Sequence, residues 1–480
     1  MADRVFCIDF GSAYTKVALR RDPGADSELL SGRISTTAEG NFCIPTTVAV
    51  DRRGLKPVPE FGDRVATMQT GGGIEVYRNW KKSIFLAHGS TAKTHLSPLE
   101  SLLQSEELRE LATKYGVAVG QLTYLQHLVG AAKNLIAGPG GRVISAEVQQ
   151  QTIAASLAPH FFIWLRQQVL EACSRLPTTG LKYDSIPVRI TIPAFAHGAA
   201  IELHPGWKIL LDALGKAGWP LHPDNPTTAE PYANAVGILT KAANVLHRGR
   251  VRIGDMFGKG PIITVLKDAT HHPIYRAFVI DVGAFTTDFA VLTLKPEGNN
   301  TSEPDGNFSI VQNSLPLGVS DLDASVIDAL PKEKSDWLRK ASPMEWEDFR
   351  PAVYTEGKGV RKAELGVIGG PIDAEAVRSC LEEFAKEIAG ETVKFLESLG
   401  TIPSGSLQEL ILTGGGSFIP AIRDAIQAAA QTGGHSYAKT HAPALKRTSG
   451  GPPIDKLDSA FARGGSALGG ASIYFEKSLY

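Results

Sequence analysis

The sequence predicts an α/β protein in which two similar lobes enclose a cleft. The prediction depends on a repeated pattern: one strand-like run ends in Asp9–Gly11, and a second ends in Asp281–Gly283, 272 residues later. Each run leads into another β-branched stretch, which gives two copies of a strand, an acidic glycine turn and a strand. Helical patterns lie between the strand patterns, as is typical of α/β proteins. We expect the two turns to face each other across the cleft.

Length and composition indicate a globular chain with more than one compact unit. The chain has 480 residues, of which 43% are hydrophobic and 21% are charged. At about 150 residues per domain, this length corresponds to two large units or three smaller ones. The 49 basic and 50 acidic side chains nearly cancel. Because no strong net charge directs the surface to nucleic acid or anionic lipid, we expect neither as a partner.

The N-terminus and the cysteines favour a cytoplasmic location. The first residues lead directly into a strand-like run and lack the long apolar stretch of a signal peptide. The most apolar compact run, Phe161–Leu165, is far shorter than the roughly 20 residues that a membrane-spanning helix needs. The four cysteines are scattered without a paired spacing, which argues against a zinc site and a disulfide framework. We therefore expect a cytoplasmic protein with reduced thiols.

The periodicity of the apolar residues gives the expected order of units and elements. We expect lobe I at 1–245 with an inserted subdomain at about 51–142, a connector at 246–272, and lobe II at 273–480 with a helical subdomain at about 321–385. Strands are predicted at 5–8, 15–20, 46–50, 188–192, 277–280 and 410–412. Helices are predicted at 97–135, at 145–175 with Ser145 as the cap, at 230–243 and through much of 321–395.

The two acidic turns carry groups that suit a phosphate and a metal ion. A glycine lets the backbone turn tightly and present its N–H groups to a phosphate, and the preceding carboxylate can hold Mg²⁺. Two carboxylates that face each other, Asp9 and Asp281, suit an ion that keeps most of its water. The expected phosphate contacts are Gly11, Ser12, Ala13, Tyr14 and Lys16 in the first turn, and Gly283, Ala284 and Thr286 in the second. For Lys16, an exposed strand position is the alternative.

A third glycine turn follows the strand pattern at 410–412. Three successive glycines permit a close backbone approach to a flat ring or a ribose before the next helix begins. A sharp turn from strand to helix is the alternative interpretation. The expected contacts of this turn are Gly414, Gly415, Gly416 and Ser417.

The three turns together resemble the motifs of a known superfamily, the ATPases that share a fold with actin, the sugar kinases and the seventy-kilodalton heat-shock chaperones of the DnaK type. Ile8–Ser12 is similar to the first phosphate motif, Ile280–Asp288 to the second, and Leu412–Pro420 to the adenosine motif. The motifs occur in the order of the superfamily and span nearly the whole chain. The resemblance implies an actin-like ATPase fold that binds ATP or ADP with Mg²⁺.

Further stretches resemble the nucleotide-binding domain of the heat-shock chaperones in particular. They keep the family's order and are 44–49, 190–195, 229–235, 317–323 and 460–467. This resemblance implies a slow ATPase whose nucleotide state acts as a switch on a partner protein.

The resemblance also implies roles for individual residues. Glu230 would orient the attacking water, and Lys81 would approach the γ-phosphate, with Lys82 as the competing choice. A Glu at a helix start also meets the helix dipole favourably, which is the structural alternative for Glu230. Glu356 and Lys358 lie in the region of the adenine clamp, although the glycines at 357 and 359 interrupt its pattern.

Two departures from the chaperones affect these expectations. The second turn reads Gly283–Phe285 where the chaperones have three glycines, so one close approach to phosphate is lost. The chain ends at Tyr480, directly after the counterpart of the closing helix, from which we expect no peptide-binding domain.

Two other functions of the same fold stay open at this point. An actin-like filament is favoured by Lys16, which stands at a position similar to actin's lysine in the first phosphate motif. A small-molecule kinase would need a catalytic Asp in lobe I that the sequence does not identify. A P-loop is excluded, because the glycine-rich stretch at 254–260 has the wrong spacing and lacks the Ser or Thr that binds the metal.

Overall fold

The structure is a computed structural model of the chain. It describes residues 4–21, 27–30, 42–54, 57–86, 146–176, 181–196, 205–239, 250–252, 274–297, 305–354, 374–400, 404–432, 437, 439–443, 454–456 and 459–472.

The described residues contain sixteen strands. In chain order they are β1 Val5–Phe10, β2 Tyr14–Arg20, β3 Glu28–Leu29, β4 Ile44–Pro45, β5 Val48–Asp51, β6 Val58–Glu60, β7 Ile74–Tyr77, β8 Val188–Ile192, β9 Thr227–Ala229, β10 Arg250–Arg252, β11 Tyr275–Val282, β12 Thr287–Glu297, β13 Asp305–Leu315, β14 Leu407–Thr413, β15 Lys439–Ala442 and β16 Ile454–Lys456.

The same residues contain ten α-helices. They are α1 Trp80–Leu86, α2 Ala146–Cys173, α3 Pro205–Lys216, α4 Glu230–Leu239, α5 Val319–Ala329, α6 Lys332–Lys340, α7 Pro343–Tyr354, α8 Ala374–Ser398, α9 Pro420–Thr432 and α10 Ser459–Ser472. The chain is therefore of the predicted α/β class. None of the helices in the described part of the chain is long and apolar enough to cross a membrane.

The first large sheet is built around the N-terminal hairpin. Its strands run in the order β3-β2-β1-β8-β9, and β4 also pairs with β2. β1 is antiparallel to β2 and parallel to β8. Every residue of β1 is buried, because α2 and α3 cover one face of the sheet and α10 packs on the other. A strand buried on both faces has to be apolar throughout, which explains why Val5–Ile8 lacks alternation.

The second large sheet repeats this arrangement around the second hairpin. Its order is β10-β13-β12-β11-β14-β15-β16, with β11 antiparallel to β12 and parallel to β14. Helices α5, α8 and α9 cover one face through a core that includes Phe278, Ile280 and Leu412. Both large sheets thus contain a hairpin whose first strand also pairs in parallel with a later strand, which brings an acidic turn to the edge of each sheet.

Helices α4 and α10 cross closely between the two sheets. A Cβ atom on Gly469 would lie 1.7 Å from the Ala233 carbonyl oxygen, and one on Gly237 would lie 2.0 Å from the Gly465 carbonyl oxygen. Only glycine fits at such backbone contacts. α4 follows β9 of the first sheet and contacts β11 and β12 of the second, so the crossing sets the relative position of the two acidic turns.

The structure corrects one predicted strand and leaves several predictions outside the described residues. The sequence favours an antiparallel meander in which the strand at 46–50 joins those at 5–8 and 15–20. In the structure β5 begins at Val48 and joins β6 and β7 in a separate three-stranded sheet. Within the predicted connector, β10 pairs with β13 of the second sheet. The helix at 97–135, the Ser145 cap and positions 240–243 of the predicted helix at 230–243 lie outside the described residues.

Candidate functional site

The first acidic turn places Asp9 beside a lysine. In the hairpin register Asp9 lies opposite Lys16, and the Lys16 Nζ is 3.0 Å from Asp9 Oδ2. The Thr191 hydroxyl, at the end of the neighbouring β8, donates a hydrogen bond of 3.3 Å to Asp9 Oδ1. The Lys16 side chain is only 15% exposed. Lys16 is therefore part of the site and not an exposed strand residue.

The backbone of this turn is tight and leaves one hydroxyl for a ligand. A Cβ on Gly11 would lie 2.3 Å from the Tyr14 carbonyl oxygen, so the turn requires glycine. The Thr46 side chain donates to the Gly11 carbonyl at 2.7 Å, and the Thr46 N–H donates to the Ala13 carbonyl at 3.0 Å. The Ser12 hydroxyl is buried and has no hydrogen-bond partner among the residues that the structure describes. A buried hydroxyl without a partner is costly unless a ligand or water satisfies it.

The second acidic turn is held by the helix that follows its sheet. The Gly283 N–H donates to the Thr286 carbonyl at 2.8 Å, which closes the turn. The carbonyls of Gly283 and Ala284 each accept a 2.9 Å hydrogen bond from the first backbone amides of α5. The Thr286 hydroxyl donates to Asp288 Oδ2 at 2.9 Å, so it supports a buried carboxylate and does not point freely towards a phosphate.

The glycine turn after β14 lies directly against Asp281. Gly414 has φ +80°, and a Cβ there would lie 2.1 Å from Asp281 Oδ1. A Cβ on Gly416 would lie 2.3 Å from the Val282 side chain, while Gly415 is exposed with nothing within 4 Å. The buried Ser417 hydroxyl donates to the Gly414 carbonyl at 2.7 Å. Of the four predicted adenosine contacts, Gly415 is exposed, while the close approaches at Gly414 and Gly416 and the Ser417 hydrogen bond fix the shape of the turn.

The two lysines at the start of α1 have different partners. Lys81 forms a buried ion pair with Glu230, the first residue of α4, and both side chains are at most 10% exposed. Lys82 forms a partly exposed ion pair with Asp321, in the first turn of α5. The structure therefore brings Lys81, and not Lys82, to Glu230.

Asn234 links the second and third turns and was not among the predicted residues. Its amide Nδ2 donates to Asp281 Oδ2 at 2.9 Å and lies 2.7 Å from the Thr413 hydroxyl. Asn234 follows Glu230 by four residues, and side chains with that spacing share one face of a helix. The spacing could have identified Asn234 from the sequence. Once Glu230 is assigned to the site, a polar side chain one helical turn later becomes a candidate site residue as well.

The charged groups of both turns share one electrostatic environment. Burial, together with the charges of Asp9 and Glu230, raises the pKa of Asp281 to about 7, although Lys16 opposes the change. Burial also raises the pKa of Glu230, against the effect of Lys81. Burial alone would lower the pKa of Lys16, but Asp9, with smaller effects from Cys43 and Asp281, outweighs burial and the pKa is raised. The contacts of α4 show how the charged groups of the two halves are linked, because its Asn234 donates to Asp281 and its Glu230 pairs with Lys81.

The buried Asp288 extends this cluster beyond the predicted residues. It lies opposite Asp281 in the hairpin and accepts hydrogen bonds from Thr286 and Ser314. Burial, with the charges of Glu230 and Asp281, raises the pKa of Asp288 well above its usual value. The two predicted clamp residues, Glu356 and Lys358, lie outside the described residues.

The side chains fit Mg²⁺ only if the ion binds mainly through water. The described residues contain no cluster of three or more histidine, cysteine, aspartate or glutamate side chains that could hold a metal directly. Asp9 and Asp281 nevertheless supply two carboxylates. The Ser12 hydroxyl, which has no partner within the described part of the chain, supplies a third oxygen in the first turn. Mg²⁺ usually keeps several waters and takes one or two carboxylates plus phosphate oxygens. The arrangement suits a hydrated ion carried on a polyphosphate.

Comparison of the chain with protein-family models gives no match, and comparison with curated proteins gives no significant match.

Proposed function

We propose that the protein binds and slowly hydrolyses ATP with Mg²⁺, and that its nucleotide state acts as a switch on a partner protein. One observation carries the proposal: helix α4 joins the charged groups of the two halves. Its Glu230 pairs with the buried Lys81, and its Asn234 donates to Asp281 of the second acidic turn, while Lys16 contacts Asp9 in the first. A hairpin turn that served only the fold would not need two carboxylates and a lysine in one environment that disfavours charge.

The arrangement of the sheets supports the actin-like ATPase fold as part of this proposal. In each sheet the strand before the acidic turn pairs with a following antiparallel strand and a later parallel strand. The crossing of α4 and α10 lies between the sheets and carries Glu230 and Asn234 on one side. The resemblance of the motifs to the heat-shock chaperones supports the finer assignment within that fold.

The chemistry follows from the positions of the charged groups. When bound, Mg²⁺ would neutralise part of the charge on the phosphate oxygens. The Lys81 ammonium offsets charge at the γ-phosphate, and the buried Ser12 hydroxyl of the first acidic turn donates a hydrogen bond to a phosphate oxygen. Glu230 accepts a hydrogen bond from the attacking water and orients it in line with the bond that breaks. Its raised pKa makes Glu230 a better proton acceptor than an exposed glutamate.

The switch depends on contacts that join the two halves around the site. The Ala194 N–H, after β8, donates to the Ser314 hydroxyl of β13 at 2.9 Å. Gln69, near the small sheet, donates to the Glu345 carboxylate of α7 at 2.9 Å. A nucleotide that contacts both acidic turns favours the closed arrangement, and loss of its γ-phosphate weakens that preference.

An actin-like filament is the second candidate, because Lys16 lies in the site and contacts Asp9. Filaments would sediment in the presence of Mg²⁺ and ATP and would be visible by electron microscopy. A chain that hydrolyses ATP but stays in the supernatant at all concentrations would exclude this candidate.

The test of the proposed function is phosphate release with and without Mg²⁺, with nucleotide binding measured in parallel. The variants are Asp281→Asn and Glu230→Gln, and the matched control is Glu171→Gln on the exposed side of α2. We expect wild type and control to hydrolyse ATP only with Mg²⁺, and the two site variants to bind ATP but to lose about 100-fold or more in rate. Equal turnover in all four proteins would contradict the assigned roles, and binding without turnover in the wild type would indicate a nucleotide sensor instead.

A further inference from the structure

Phe285 belongs to the second acidic turn, but its side chain lies in the core of the other half. The ring is only 2% exposed and packs within the cluster that surrounds the first large sheet. Its centroid is 6.4 Å from that of Phe85, with nearly parallel planes, and 6.1 Å from that of Phe195, with perpendicular planes. Aromatic pairs at these separations contribute beyond simple burial of apolar area.

The backbone around Phe285 is held on the opposite side by the second half. The preceding carbonyls of Gly283 and Ala284 accept hydrogen bonds from the amides at the start of α5. Gly318 closes this contact, since a Cβ there would lie 2.5 Å from Ala284 and 2.6 Å from the Phe285 carbonyl carbon. The turn is therefore fixed between α5 on one side and the first core on the other.

The partner of Phe285 lies on the helix that carries Lys81. Phe85 follows Lys81 by four residues, so the two side chains share one face of α1. The Lys82 side chain also ties α1 to Asp321 of α5. α1 thus contacts the second half through its apolar and its charged side chains, while Lys81 pairs with Glu230.

We infer that Phe285 is a positioning residue: through Phe85 it couples the second phosphate turn to α1 and so holds Lys81 against Glu230. The coupling itself is independent of any ligand, while its consequence for ATP hydrolysis rests on the proposed function. A phosphate turn with three small residues would lack this link, because none of its side chains could reach the first core.

Amide hydrogen exchange of the nucleotide-free protein tests the coupling directly. Phe285→Leu is compared with Phe289→Leu, which makes the same substitution at another buried ring. Phe289 is 1% exposed and packs with Phe278 and Phe395 in the second core. We expect exchange in 80–86 to become about tenfold faster in Phe285→Leu and to stay unchanged in the control. Unchanged exchange in α1, or an equal increase in both variants, would overturn the inference. If Phe285→Leu does not fold, Phe85→Leu should accelerate exchange in the second turn at 283–287, and unchanged exchange there would likewise overturn it.

A double-mutant cycle then tests the consequence for catalysis. Phe285→Leu and Lys81→Met are combined, and phosphate release is measured at saturating ATP. If Phe285 acts through Lys81, its replacement slows the reaction in the wild type but has little further effect when Lys81 is already absent. Fully additive losses would contradict this role. Absence of hydrolysis in the wild type would refute the proposed function, while the exchange experiment would still decide the coupling.

Discussion

At the scale of single residues, Lys81 and Lys82 show how adjacent side chains of the same type acquire different roles. Lys81 is buried in an ion pair with Glu230, whereas the pair between Lys82 and Asp321 is partly exposed. An exposed pair contributes at most about 1 kcal/mol, because water screens it. A buried lysine without its carboxylate, or the reverse, leaves an uncompensated charge.

We therefore predict different kinetics for Lys81→Met and Lys82→Met. The first should lower the rate constant of hydrolysis about 100-fold or more, because charge at the γ-phosphate is no longer offset. The second should change it by a few-fold at most. Single-turnover phosphate release measures both, and a larger loss in Lys82→Met would reverse the assignment.

The raised pKa of Asp281 predicts a specific dependence of stability on pH. An unfolded chain releases this proton near pH 4, but the folded protein keeps it until about pH 7. Between these values the folded state binds more protons, so the contribution of Asp281 to the free energy of unfolding falls as pH rises. The steepest slope is about 1.4 kcal/mol per pH unit.

Asp281→Asn removes this titration, and urea unfolding at a series of pH values measures the result. The difference in unfolding free energy between wild type and variant should fall steadily from pH 4.5 to 6.5. A difference that does not vary with pH, or that grows, would show that Asp281 is ionised in the folded protein throughout this range.

At the scale of elements, the crossing of α4 and α10 controls where Glu230 and Asn234 lie. We predict that Gly469→Ala destabilises the protein by about 1–3 kcal/mol, since its new methyl group would lie 1.7 Å from a backbone oxygen of α4. Gly390→Ala in α8 is the matched control: it has nothing within 4 Å, and it should stabilise the protein by about 0.5–1 kcal/mol.

Thermal unfolding of the two glycine variants measures these effects, and nucleotide affinity measures the displacement of α4. Gly469→Ala should weaken ATP binding as well as stability, because Asn234 would lose its hydrogen bond to Asp281. Equal stability of the two variants would mean that the helices separate without cost and do not fix the site.

At the scale of the whole molecule, the sequence predicted the elements that depend on local pattern. The two hairpins were found from Asp9 and Asp281, because an apolar run followed by an Asp-x-Gly turn is a local signal. The strand at Val188–Ile192 was predicted with its observed bounds, since Pro193 ends a β-branched run. The Glu230 helix start was likewise predicted where the structure has it.

Features that depend on contacts between distant residues were not predicted. Nothing local distinguishes Phe285, which fills the opposite core, from an aromatic side chain in its own half. The sequence did not show that Gly414 and Gly416 of the third turn are also required by the close approach of Asp281 and Val282. The strand expected at 46–50 joined another sheet because its partners, β6 and β7, come later in the chain.

The central claim is that the two halves hold one Mg²⁺-bearing adenine nucleotide between Asp9 and Asp281. Calorimetric titration of ATP into the whole chain, with and without Mg²⁺, tests it most directly. We predict one ATP per chain, with an affinity that rises with Mg²⁺ and falls about 10–100-fold when either Asp9→Asn or Asp281→Asn is introduced. A wild type that binds no ATP would contradict the claim. So would a variant with both Asp9→Asn and Asp281→Asn that keeps the affinity and the Mg²⁺ dependence of the wild type.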